Sequence, residues 1–259
     1  MLKKYFQVFL KYKNLIFYLA KNQISLKYRK SYLGLLWSLL NPLLTMVVLT
    51  MVFSNIFQNK IENFPIYLMC GRLIFEYNSE ATKTAMNAVI SNSSLIKKIY
   101  VPKYVFPLSS SIAALVNMFF SLIALVIVMI ATKLTLKWTM LFIWLPMLYV
   151  FIFSTGLGLI LASANVFFRD TKHLYGVFIT LWMYLTPLFY PIESVSEETQ
   201  NIIGYNPLYH FIKMFRGMML DGVMPSFSDN VTCIVTGLTM VLIGLICFKK
   251  SQDKFILYI

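Results

Sequence analysis

The chain has 259 residues, of which 59% are hydrophobic and 13% charged, and its mean hydropathy is +0.71. A soluble domain carries about 45–50% apolar and about 25% charged residues, so this balance argues against disorder, a coiled coil or a nucleic-acid-binding domain and for an integral membrane protein. The net charge of +13 is then first an orientation signal, because Lys and Arg collect in cytoplasmic loops.

Residues 1–30 read as an amphipathic helix on the membrane surface. Tyr5, Phe6, Phe9, Tyr12, Ile16 and Leu19 or Ala20 recur at roughly helical spacing, with lysines between them. No short apolar core precedes a small-residue cleavage site, so no cleaved signal is expected and the first span is expected to insert the protein. The helix either sets topology alone or also frames a docking surface for a cytoplasmic partner. The basic run Lys27 to Trp37 enters a first span over residues 35–57, where Asn41-Pro42 predicts a bend.

The second span, 64–90, is polar. Arg72, Glu76, Glu80, Lys83 and Asn87 follow helical spacing and share one face. An ionised group facing lipid costs at least about 2.5–3.5 kcal/mol, so these groups require a protein interior or a wet cavity. Pairs Arg72–Glu76 and Glu80–Lys83 near the membrane surface are one reading. A stripe lining a hydrophilic pathway is the other.

Residues 91–107 are short, basic and bounded by proline. Asn92 or Ser93 is expected to cap a helix over 95–100, and Pro102 and Pro107 are expected to force turns before a third span, 108–131. Such an elbow transmits a push from a partner into the membrane; a plain solvated loop is the alternative. The fourth span, 138–164, ends in Asn165-Val-Phe-Phe-Arg-Asp170, where Arg169 and Asp170 are expected to form a local pair or caps.

The fifth span, 174–190, carries Tyr175, Phe178, Trp182, Tyr184, Phe189 and Tyr190. Aromatic faces stack on the C–H faces of sugars, so an aromatic path suits glycans, while packing or a lipid belt fits any single one of them. Pro187 and Pro191 break the helix. Within 191–230, Tyr209, Phe211, Ile212, Met214, Phe215, Met218 and Met219 predict a re-entrant or interfacial helix pair suited to an outer gate. The last span is 231–248.

Sixteen of the 23 Lys and Arg lie in 1–33, 91–107, 165–173 and 249–259, and five in the alternate connections. That asymmetry supports six spans with both termini cytoplasmic. Cys70, Cys233 and Cys247 lie in apolar stretches and read as small buried hydrophobes. No metal-spaced cluster, H-E-x-x-H or G-x-x-x-x-G-K-[ST] is present, so neither enzyme chemistry nor a phosphate loop is visible. If ATP drives this protein, another chain must bind it.

Four motifs in this order then become familiar: Lys27-Tyr-Arg-Lys-Ser-Tyr-Leu-Gly-Leu-Leu-Trp-Ser-Leu-Leu-Asn-Pro42; Leu95-Ile-Lys-Lys-Ile-Tyr-Val-Pro-Lys-Tyr-Val-Phe-Pro107; Asn165 to Asp170 followed by Thr186-Pro-Leu-Phe-Tyr-Pro191; and Asn206-Pro-Leu-Tyr209. The set resembles the permease subunits of ABC exporters for O-antigen, capsule, teichoic acid and related wall polysaccharides, the ABC transmembrane type-2 domain family. It covers nearly the whole chain.

The resemblance implies an all-α membrane protein, with an interface helix over 1–30, one six-helix domain over 31–259 and short external re-entrant helices. It implies a homodimer with a conduit at its interface, two copies of a separate ATP-binding subunit carrying ATP and Mg, and no cofactor in this chain. The substrate would be a lipid-linked glycan moved outward across the bacterial cytoplasmic membrane. Leu95, Lys97, Lys98, Tyr100, Pro102 and Lys103 would couple to the ATPase, with Arg29, Arg169 and Asp170 on the same docking surface. Tyr175, Phe178, Trp182 and Tyr184 would face the sugar chain; Arg72, Glu76, Glu80 and Lys83 are expected in the conduit from their spacing alone, not from the resemblance. Asn206, Tyr209, Phe211 and Phe215 would form the external gate. The chain departs from the family pattern at Arg72-Leu-Ile-Phe-Glu76, where many relatives carry an apolar run containing Pro-Trp. A permease for a small molecule or drug is the alternative, and a membrane-embedded glycan-processing enzyme a more distant one.

Overall fold

The computed structural model describes the backbone of residues 2–29, 31–57, 61 and 63–259, and the side chains of the same stretches except 2–10 and 54–57. Lys30 and Lys60 of the charge count lie outside the described residues, as do the side chains of Lys3, Lys4, Tyr5, Phe6 and Phe9. Every regular element among the described residues is helical.

The central element is α3 (Phe64–Ser91); α1 (Leu2–Tyr28) and α2 (Trp37–Phe57) precede it. It packs chiefly on α5 (Val105–Ala131) and α6 (Trp144–Phe167). Ile66, Ile74, Ala81, Ala85 and Val89 recur at helical intervals and are fully buried, so neighbouring helices cover this side and the charges keep to the other. Pro65 sits in the first turn, where a missing N–H costs nothing.

Four stretches are long and apolar enough to cross a membrane: Gly34–Phe53, Val105–Ala131, Trp138–Phe167 and Phe227–Tyr258. The 28 residues of α3 extend about 42 Å at 1.5 Å per residue, also sufficient for a crossing. The expected fifth span is different. Helix α7 (Thr171–Leu185) has 15 residues, about 22 Å, against a hydrocarbon core of about 30 Å. Pro187 disfavours a helical residue before it, and Thr186 is extended at φ −92, ψ 130. The chain then runs irregularly, with Thr186, Pro187, Leu188 and Phe189 buried in protein. Irregular backbone at membrane depth is tolerated only under such cover.

The connection after it folds as a helix pair, α8 (Glu197–Gly204) and α9 (Pro207–Arg216), closed by a π turn over Gly217–Asp221. A helix pair is what was expected within 191–230. The elbow differs in detail. Helix α4 (Ser93–Lys98) begins two residues earlier than expected. The Asn92 amide donates back to the Ala88 carbonyl at 2.8 Å, ending α3 instead of capping α4. Pro107 forces no turn, because it lies in the first turn of α5.

Helix α1 is more than a surface element. From Ile16 onward it packs on α5, burying Ile16, Leu19 and Ala20, and Gln23 donates to the Ser110 hydroxyl at 3.1 Å. Ile16 and Leu19 join a second core with Val89, Ile96, Phe106 and Phe255. Phe255 belongs to α11 (Phe255–Tyr258), folded back beyond the last long helix, α10 (Phe227–Ser251). Its ring meets Phe248 at 5.3 Å and Phe167 at 5.9 Å. Ser226 and Asp229 close α10 with a capping box.

Helices α6 and α10 meet at Gly156 and Gly244, backbone against backbone. A Cβ on Gly156 would lie 2.5 Å from the Met240 carbonyl carbon. Gly156→Val is expected to lower stability by about 1–3 kcal/mol, because the backbones must separate to admit the side chain. Gly176→Ala has nothing within 4 Å and is expected to be near neutral. Thermal unfolding of the two purified variants in detergent checks both.

Candidate functional site

The predicted polar face of α3 exists. Arg72, Glu76, Glu80 and Asn87 are partly exposed and Lys83 is exposed, while residues behind them are buried. Arg72 and Glu76 form an ion pair one turn apart. Glu80 does not pair with Lys83. Its carboxylate accepts from Lys27 of α1 at 2.5 Å and from the Asn117 amide of α5 at 2.8 Å. Two donors on separate helices tie all three together at that point. The same acid therefore ends the predicted Glu80–Lys83 pair and joins the N-terminal helix to the bundle.

The aromatic residues of α7 divide. Tyr175 is 5% exposed, and its hydroxyl lies 2.7 Å from that of Thr82. Trp182 donates through Nε1 to the Asn206 side-chain oxygen at 2.8 Å. Rings run Tyr175–Phe178–Trp182–Phe153–Phe211 with centroid spacings from 5.2 to 6.3 Å. Tyr175 and Trp182 thus hold α7 to α3 and α9; burial takes the Tyr175 ring off an open path, while Trp182 stays partly exposed. Phe178 and Tyr184 are exposed, at 50% and 64%.

Of the expected gate residues, Phe211 and Phe215 are fully buried and fill the core. Asn206 is buried and caps α9, accepting from the Leu208 N–H at 3.1 Å and donating to the Thr186 hydroxyl at 2.8 Å. Tyr209 is partly exposed.

Arg216, one of the five basic residues in the alternate connections, has a role that the sequence pattern does not show. It ends α9 and donates to three carbonyls: Tyr67 at 3.2 Å, Pro187 at 2.8 Å and Leu188 at 3.0 Å. Its guanidinium carbon stands 3.4 Å from the centroid of the Tyr67 ring. Gly71 makes room for it, since a Cβ there would lie 2.5 Å from Nη2. One signal was available: Arg216 stands one turn after Ile212, on the apolar side of α9.

At the opposite end of the bundle, Leu95 is half-buried and Ile96 buried, which fixes α4, while Lys97, Lys98 and Tyr100 project outward. Pro102 is half-buried. Lys103 is not free for a partner. Its ammonium donates to the Gln252 carbonyl at 2.5 Å and lies 5.8 Å from the Phe255 ring centroid. Partial burial pulls its pKa below the usual lysine range, against a smaller upward pull from Asp253. Arg29 is exposed after α1, and Arg169 and Asp170 are exposed between α6 and α7. Asp170 makes no side-chain cap, and among the described residues no Arg169–Asp170 ion pair forms, so the turn is held by backbone bonds from His173 and Leu174 to the Asp170 carbonyl.

The family model for ABC-2 type transporters matches residues 14–220, from the packed half of α1 through α9 and its π turn. The chain belongs to the ABC-2 type transporter family. As an ABC-2 type transporter it is an all-helical, multi-pass membrane protein and a transport component. It is 25% identical over 246 residues to the O-antigen export system permease protein RfbA of Myxococcus xanthus, covering 94% of this chain and 95% of that one. It is 27% identical over 248 residues to an RfbA of Klebsiella pneumoniae, covering 93% of each. Similarity to the polysialic acid transport protein KpsM of Escherichia coli is 22% over 251 residues, covering 90% and 92%.

Arg216→Lys keeps the charge but loses the planar fork, leaving buried carbonyls without donors. It is expected to cost about 2–4 kcal/mol. Glu80→Gln is expected to cost less, about 0.5–1 kcal/mol, because the Lys27 and Glu80 side chains are 48% and 30% exposed. Midpoints of thermal unfolding in detergent rank the two.

Proposed function

We propose that this chain is the membrane permease of an ATP-driven exporter that moves a polysaccharide, carried on a lipid, outward across the bacterial cytoplasmic membrane. The observation that carries this reading is the family match together with end-to-end similarity to permeases of O-antigen and polysialic acid export. Exposed Phe178 and Tyr184 and the polar face of α3 support it, since they offer ring faces and hydrogen-bonding groups at membrane depth.

In this reading the chain has six crossings, with α7 and the irregular 186–191 segment together making the fifth. The basic end, with α4 and both termini, faces the cytoplasm. Two copies form the conduit, with the polar face of α3 toward it, and two ATP-binding subunits supply the ATP and Mg site that this sequence lacks. Lys97, Lys98 and Tyr100 project where such a subunit would dock, and buried Ile96 passes its push into the core that α1, α3, α5 and α6 share. Lys103 acts differently, holding the C-terminal segment to this elbow. Asn206 and Arg216 hold the helix pair at the opposite end as a frame for the exit.

Lys97→Glu with Lys98→Glu is expected to cut glycan export at least about tenfold while the protein still reaches the membrane, as loss of two docking contacts implies. Surface glycan, measured with the partner ATPase co-expressed, reads the effect. Full export by the double variant overturns the docking assignment. Unchanged surface glycan in a strain lacking this chain, with altered drug tolerance, overturns the glycan assignment in favour of a small-molecule permease.

A further inference from the structure

At the α9 end of the bundle lies a cavity of about 650 Å³, between the start of α3, the α5–α6 connection, the 187–193 segment and α9. Its volume falls in the range of about 300–1,000 Å³ typical of small-molecule sites, and far exceeds what a bare inorganic anion fills. Among the described residues, four cationic side chains line it: Lys133, Lys137, Lys213 and Arg216. Among the same residues two carboxylates, Glu193 and Asp221, offset half of that charge. The bond from Lys137 to the Leu220 carbonyl and those from Arg216 to three carbonyls neutralise neither cation. Lys213 reaches Asp229 at 3.4 Å with its side chain 55% exposed, a weak tie. A partly enclosed space with excess positive charge concentrates anions.

The mixture of groups narrows the ligand further. Lysine ammoniums donate to an acid group, and Glu193 and Asp221 accept from hydroxyls. Tyr209 and Tyr67 stand in the wall. One face of the Tyr67 ring is taken by Arg216, so Tyr209 is the ring available to the C–H face of a sugar. We propose that this cavity is a binding site for an acidic sugar, a hexose unit bearing a carboxylate or a phosphate. The proposal rests on the export reading only for its biological sense, as a site where an acidic glycan leaves the protein. The binding itself does not depend on that reading.

The test uses the full chain, purified in detergent, with glucuronate, glucose 6-phosphate, glucose and inorganic phosphate titrated calorimetrically. Both acidic sugars are expected to bind at least about tenfold more tightly than glucose or inorganic phosphate, the scale of one charge-assisted hydrogen bond. Raising salt from about 50 to about 500 mM is expected to weaken them, since charges this exposed are screened. Lys133→Gln with Lys213→Gln is expected to weaken the acidic sugars about tenfold and leave glucose unchanged. Tyr209→Leu is expected to weaken the sugars and leave inorganic phosphate unchanged. Glucose binding as tightly as glucuronate, phosphate binding as tightly as glucose 6-phosphate, or full affinity in a lysine variant with an unchanged melting temperature each overturns the proposal. Export that persists in a chain that binds no acidic sugar sinks this site and leaves the transport reading standing. Tight, lysine-dependent binding in a chain whose deletion leaves surface glycan intact does the reverse.

Discussion

A chain that leaves a helix and runs on irregularly among buried residues carries carbonyls that water cannot reach, and the fold is arranged around supplying them with donors. Helix α7 stops at Leu185, and the Arg216 guanidinium supplies donors to Pro187 and Leu188. The same group bonds the Tyr67 carbonyl and lies on the Tyr67 ring, so the break in α7, the start of α3 and the end of α9 share one anchor. Asn206 does the parallel work nearby, linking Trp182 of α7 with Thr186 beyond its end while capping α9. A planar fork suits this geometry because three carbonyls, one from α3 and two from consecutive residues after α7, converge and one rigid group bonds them all.

The polar face of α3 is one stripe in sequence and three kinds of group in space. Arg72 and Glu76 neutralise each other within the helix. Glu80 reaches across to α1 and α5, where its charge is shared by an ammonium and an amide. Lys83 stays exposed. An acid bound on two sides costs far less than one facing lipid, which explains how α3 carries charges and still serves as the central helix. The arrangement also turns α1 into a packed helix over its second half, with Gln23 and Lys27 both bonded into the bundle.

Much of this was legible beforehand. Helical periodicity placed the α3 stripe on one face, and apolar length located the long helices. The apolar residues from Tyr209 to Met219 foretold a helix pair within 191–230. Chemistry that depends on distant partners was not legible. Nothing in the spacing of Glu80 and Lys83 announces that Lys27, 53 residues earlier, takes the acid instead. The resemblance implies gate roles for Phe211 and Phe215, yet burial at zero exposure makes them core. Pro187 was read correctly as a breaker, but the short helix it leaves, and the arginine this requires, follow only when α9 is seen beside it. Lys103 was grouped with its basic neighbours, since no local pattern reveals that residues near 252–255 fold back onto it.

The glycine contact between α6 and α10 bears on how such a bundle can move. Where two backbones touch, sliding or rolling one helix past the other drives main-chain atoms together. These two helices therefore behave as a single stiff strut. The contrast is with the Gly34–Phe53 stretch that includes α2, of whose apolar window 6% is buried, while α1 is packed over its second half and tied by Gln23 and Lys27. The fold thus pairs a strut whose two helices are locked main chain to main chain with a first long apolar helix whose sides lie almost wholly open.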